Sequence, residues 1–165
     1  MARTKSINFP NTEGELSNLF DKLQRSTVQQ LLNTGALVIH GASSTLAKTV
    51  NTIYFHIDGL VFSKAAADMA ALSGTVTNAT FNVFVFGVNS AGTLTTTMGV
   101  GAATLGAVVF PALPDGVVAI GFVIINPTGT GNFVGGTTNL DDGTVVPTAV
   151  YINTVGDFFP QYATL

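Results

Sequence analysis

The stretch FNVFVFGVNSAGTLTTTMG, residues 81–99, reads as a strand, a turn and a returning strand. Side chains alternate between the two faces of a strand, so Phe84 and Phe86 share one face and Val83 and Val85 the other. Asn89-Ser90-Ala91-Gly92 is built from turn formers. Thr93 to Met98 then returns as a Thr-rich strand, suited to a half-exposed pleat.

The same grammar extends outward in both directions. Upstream, Ala36 to His40 reads as a short strand. Val50 to Ile57 is a longer one, with Ile53, Phe55 and Ile57 on one face and Thr52, Tyr54 and His56 on the other. Asp58-Gly59 separates it from Leu60-Val61-Phe62 and predicts a type I′ hairpin, which needs φ > 0 at both turn positions. Lys64 to Leu72 (KAAADMAAL) suggests a turn or one helical loop. Downstream, Gly99 to Phe110 is rich in Gly and Ala and fits more than one structure. After a Pro111–Gly116 loop, Val117 to Ile125 is apolar throughout and reads as a strand buried on both faces. Phe133-Val134 is a short β piece. Val145 to Val155 is the last long strand, and Pro147 places it at an edge or a bulge. Short strands separated by Gly, Asn, Asp and Pro turns predict a mainly β chain, an antiparallel β-sandwich or barrel-like domain over residues 36–165.

Residues 1–35 read differently. The first eleven form an extended arm in which Arg3 and Lys5 are the only charged side chains and Pro10 opposes helix. Thr12-Glu13-Gly14-Glu15 fits a capping box, and Leu16, Leu19, Phe20 and Leu23 recur at helical spacing. Ser26 to Gln29 fits a second box, and the stripe continues on a changed face as Val28, Leu31 and Leu32. The expectation is one bent amphipathic helix or two short ones, stopped at Asn33-Thr34-Gly35. Leu16, Leu19 and Leu23 approach a/d spacing but span under two heptads, too few for an independent coiled coil.

Charge narrows the function. Only 9% of the 165 residues are charged, and residues 69–165 hold no Lys and no Arg; soluble domains carry about 25%. A lone globule stays dissolved behind a charged surface, so this exterior implies cover by neighbouring molecules. At 17.0 kDa a folded monomer exposes roughly 7,700 Å². A specific contact hides about 800 Å² per partner, so two or three contacts cover about a third of it. A net charge of −3 argues against nucleic acid, which demands a basic patch. Mean hydropathy is high, at +0.48. Yet the most apolar stretch, Leu105 to Ile125, is broken by Pro111, Pro114, Asp115 and Gly116, which argues against a membrane-spanning helix. No apolar run follows the basic N-terminus as a secretory signal requires. Cysteine is absent, which removes disulfides and thiolate metal sites.

Candidate chemistry is sparse. His40 and His56 are the only histidines, and His56-x-Asp58 straddles the hairpin turn, where Asp already has a conformational reason. No Gly-x-Ser-x-Gly elbow occurs. Asp141-Asp142, in NLDDG, fits a turn whose carboxylates bond their own backbone; with Asn139 the pair also has the oxygen ligands calcium would take. Gly135-Gly136-Thr137-Thr138 lacks the Lys and the following helix of a phosphate loop. Asn78-Ala79-Thr80 matches a glycosylation sequon by chance. No catalytic, cofactor-binding or metal residue is expected, and no cofactor.

Four stretches, IYFHIDGLVFSKAA (53–66), FNVFVFGVNSAGTLTTTMG (81–99), FPALPDGVVAIGFVIIN (110–126) and FVGGTTNLDDGTVVPTAVYIN (133–153), together resemble small tailed-phage virion structural proteins of the head-decoration or head-fibre kind. The likeness runs from Ile53 to Val155 and leaves the N-terminal segment out. It implies a virion component assembled in the host cytoplasm, without catalytic residues. The expected function is a capsid decoration (cement) protein. It would act as a homo-oligomer, with a trimer as the stoichiometry considered, alongside other virion proteins such as the major capsid protein. Phe9, Leu16, Leu19, Phe20, Leu23, Val28 and Leu31 are the expected assembly anchor. The competing function is a fibre or spike domain that binds a host-surface glycan, for which Phe133, Tyr151 and Tyr162 are the candidate stacking rings.

Overall fold

A computed structural model of the chain describes residues 29–155. Eleven β-strands fill this range. β1 (Gln29–Leu31), β2 (Leu37–Ile39), β3 (Ala47–Thr49), β4 (Ile53–Ile57) and β5 (Leu60–Lys64) come first. β6 (Thr75–Val76), β7 (Asn82–Asn89) and β8 (Leu94–Met98) follow. β9 (Val117–Ile125), β10 (Phe133–Val134) and β11 (Ala149–Asn153) complete it, and a single 3₁₀ turn covers Leu105–Ala107. The architecture is mainly β, with four antiparallel sheets: β11-β9-β7-β8, β1-β4-β5, β2-β3 and β10-β6.

The four-stranded sheet carries apolar residues on both faces because β7 and β9 do. One face of β7 (Phe84, Phe86, Val88) joins Val118, Ile120, Val123 and Ile125 of β9. Together with Leu31, Leu37, Ile53, Phe55, Ile57, Val76 and Phe133 they form the main core. Phe84 meets Phe133 edge-on, ring centroids 5.9 Å apart. The other face (Val83, Val85, Ala119, Phe122) packs against Val108 and Phe110 in a second cluster. There Phe110 and Phe122 cross at 86° with centroids 4.9 Å apart, a favoured aromatic geometry.

A β-bulge reconciles the two patterns. Phe86 pairs with Gly121 and Gly87 with Ala119, so Ile120 is the extra residue on β9. A bulge resets which face successive residues occupy. Here it lets Val118 and Ile120 point into the main core and still leaves Phe122 on the second. A Cβ at Gly121 would run into the Ile152 carbonyl oxygen and the Leu37 side chain, so this close crossing requires glycine.

The hairpin signal is realised as expected. Asp58 and Gly59 have φ of 51° and 81°, and Ile57 pairs with Leu60 across them. Ile53, Phe55 and Ile57 are buried while Tyr54 and His56 face outward. β11 occupies the edge that Pro147 indicated, but starts only at Ala149.

Three expectations are corrected. First, the helical stripe does not extend through residues 29–33. Gln29, Gln30 and Leu31 pair with Ile57, His56 and Phe55, and Leu31 is fully buried in the core. Asn33 prolongs the ladder with its side chain, accepting from the Tyr54 N–H (2.7 Å) and donating to the Thr52 carbonyl (2.8 Å). Pairing and burial in the tertiary structure override a local helical pattern. The rest of that expectation, residues 12–28, lies outside the described residues, as does the arm. Second, a domain boundary at 35/36 falls inside the β fold, since β1 belongs to the β4–β5 sheet. Third, Lys64 to Leu72 forms no helical loop. It runs extended beside β3, with Thr49 N–H donating to the Ala67 carbonyl and Met69 N–H to the Ala47 carbonyl, so that Met69 and Leu72 reach the core.

Candidate functional site

The described residues bring together one histidine–carboxylate pair. His40 follows β2 and Asp68 lies on the extended segment beside β3. His40 Nδ1 and Asp68 Oδ1 are 2.5 Å apart, with both side chains about half exposed (48% and 47%). They line an open groove of about 350 Å³ with Lys48, Thr49, Val50, Ala66 and Ala67. A carboxylate can orient an imidazole for proton transfer, but acyl chemistry also needs an aligned nucleophile. The hydroxyl in the groove, that of Thr49, is committed to the backbone of Ala67, accepting from its N–H at 3.1 Å. His56 and Asp58 separate: His56 sits in β4, and Asp58 forms the turn.

The acidic pair serves its loops. Asp142 Oδ1 accepts from the Thr144 hydroxyl (2.6 Å), the Thr144 N–H (2.9 Å) and the Val145 N–H (3.3 Å). The Thr144 hydroxyl, then its backbone N–H, hold the Asp142 carboxyl below the usual carboxylate range. Asp141 Oδ2 accepts from the Ser43 N–H at 2.8 Å. No cluster of three or more His, Cys, Asp or Glu that could hold a metal ion occurs among the described residues.

Neither of the two described rings named for glycan stacking stands fully exposed. Phe133 is fully buried. Tyr151 packs against the main core, where burial and then the Asp141 charge push its hydroxyl up to about 12. Tyr162 lies outside the described residues. A cavity of about 250 Å³ does open near the start of β11, lined by Phe81, Leu105, Ile124, Asn126 and Val150 among others.

What the surface offers instead is uncharged apolar area. On the outer face of the β1-β4-β5 sheet, Gln30, His56 and Val61 form one cross-strand row. Leu32, whose N–H donates to the Tyr54 carbonyl, continues into a second row with Tyr54 and Ser63. Leu32 and Tyr54 are nearly half exposed and Val61 is 64% exposed; Leu60, at the hairpin end of the opposite face beside Ile57, is 63% exposed. Neither row holds a Lys, Arg, Asp or Glu. A second apolar area includes Val100 and Val109, bridged to each other, with Val150 and Ile152 of β11 also exposed. Of the expected anchor residues, Leu31 is spent inside the chain's own core, while Phe9, Leu16, Leu19, Phe20, Leu23 and Val28 lie outside the described residues. Sequence reasoning missed the His40–Asp68 pair, since no periodicity links residues 28 apart. It missed the β5 exposure too, since LVF reads equally as core.

Comparison with protein-family models, with curated proteins and with solved structures returned no match.

Proposed function

We propose that the chain is a structural subunit that works by packing against copies of itself and against a larger shell. The assembly suggested by the sequence resemblance is a phage capsid, with this chain as a decoration (cement) protein of β-sandwich type. One observation carries the assembly reading: Leu32, Tyr54 and Val61 stand exposed on the outer rows of a sheet, and those rows hold no Lys, Arg, Asp or Glu. Monomers seldom expose contiguous apolar area beyond a few hundred Å², and larger areas mark interaction sites. The shortage of charge over residues 69–165 points the same way. In this reading the N-terminal segment is the anchor, through Phe9, Leu16, Leu19, Phe20 and Leu23.

Light scattering of the purified full chain over a range of concentrations tests the proposal. A defined oligomer is expected, and Leu19→Asp should abolish attachment to the shell while the β fold persists by circular dichroism. A stable 17.0 kDa species at high concentration, attached to no larger body, overturns it.

A further inference from the structure

We propose that β5 is the strand through which two copies of this chain pair, antiparallel, about a two-fold axis at Phe62. This rests on the assembly reading and names the contact within it. The hairpin sets the geometry. With two turn residues, the flanking pair Ile57–Leu60 is hydrogen-bonded, and bonded pairs then alternate along the ladder. Leu60, Phe62 and Lys64 therefore turn their N–H and C=O groups toward β4. Val61 and Ser63 turn theirs away, and no backbone bond reaches them from any described residue.

The two edges of the four-stranded sheet are engaged within the chain. Beside β11, the Leu37 N–H donates to the Asn153 side chain at 2.7 Å. Beside β8, the Thr96 hydroxyl donates to the Ala70 carbonyl at 2.6 Å. Exposed edges are normally guarded by Lys, Pro or a bulge. The outward positions of β5 hold Val and Ser, and its ladder with β4 is regular.

A second β5 fits this edge by its own symmetry. Centred on Phe62, the antiparallel register sets Val61 opposite the second copy's Ser63, and Ser63 opposite its Val61. Each such pair exchanges two N–H···O=C bonds, so the four unused donors and acceptors of each copy are all satisfied. Phe62 faces its own image at a non-bonded position, where side chains come closest. The charges agree with this register. Lys64 falls opposite the second copy's Leu60, so it does not confront its own kind. The outer rows, with Tyr54, Val61 and Leu32, become continuous between copies. Such a contact is isologous, so the oligomer it builds is a dimer or a multiple of one.

Two variants of the full chain test this. Val61→Lys with Ser63→Lys adds charge where the monomer is already exposed, so native circular dichroism is expected together with a mass half that of wild type. Val61→Cys with Ser63→Cys introduces the only cysteines in the chain, and oxidation should give a covalent dimer in high yield. A wild-type trimer, an unchanged mass in the lysine variant, or no covalent dimer from the cysteine variant overturns the β5 contact while leaving an oligomeric function standing. A monomeric wild type removes both.

Discussion

β7 and β5 are similar in composition and opposite in fate. β7 reads NVFVFGVN and is buried at every position but the last; β5 reads LVFSK and is buried at none. Both are apolar, and both pair with an apolar neighbour. The difference is that β7 is flanked by strands on both sides, with clusters above and below. Among the described residues β5 has one strand neighbour and one partly covered face, where Phe62 stacks on Phe55 at 5.8 Å. Hydrophobic sequence in β7 is thus accounted for by folding. In β5 it is not, and the surplus is what an interface would use.

The comparison is most easily broken at its buried end. Phe84→Ala removes a fully buried ring that contacts Phe133, and should cost about 3–5 kcal/mol of stability, read from the midpoint of denaturant unfolding. Gly121→Ala should cost about 1–3 kcal/mol, since overpacking strains a filled site and the Ile152 carbonyl stands where the new methyl would go. If the alanine variant unfolds at the wild-type midpoint, the bulge is not what divides β9 between the two cores.

How far the sequence could be read depended on where each element's cause lies. The 53–62 hairpin and the two-faced strands β7 and β9 were legible because alternation and Asp-Gly turn chemistry are local. β1 was not: only its pairing with β4, and the burial of Leu31, make those three residues a strand. β3 and β6 span three and two residues, too short for any period to register. The bulge at Gly121 was hidden because a strand apolar on both faces shows no phase shift. Within the candidate site, the apolar content of Leu60-Val61-Phe62 was legible, but its exposure depends on β5 having no strand beyond it among the described residues.

Smaller effects sharpen the contrast. Asp58→Val places a β-branched residue at φ of 51° and should cost about 1–2 kcal/mol. That loosens the turn which decides which residues of β5 face outward. Tyr151 offers a pH test. Its hydroxyl is pushed from 10 up to about 12, so the fold favours the protonated form. That contribution is intact below pH 10 and is lost as pH rises through about 12. Melting temperatures should fall across this window, and Tyr151→Phe should flatten the slope. The variant loses no hydrogen bond to any described residue, because the buried hydroxyl has no partner among them.

The smallest effect on stability carries the most weight for the comparison. Val61→Ser changes a side chain that is 64% exposed, and such surface substitutions usually stay within about 0.5 kcal/mol. Measured at a concentration low enough for single copies, its unfolding midpoint should match wild type. At high concentration the association should weaken, because the valine is covered only between molecules. A loss of about 2 kcal/mol or more in the dilute sample would mean that Val61 is covered within one chain. β5 would then be an interior strand like β7, and its apolar residues would owe nothing to assembly.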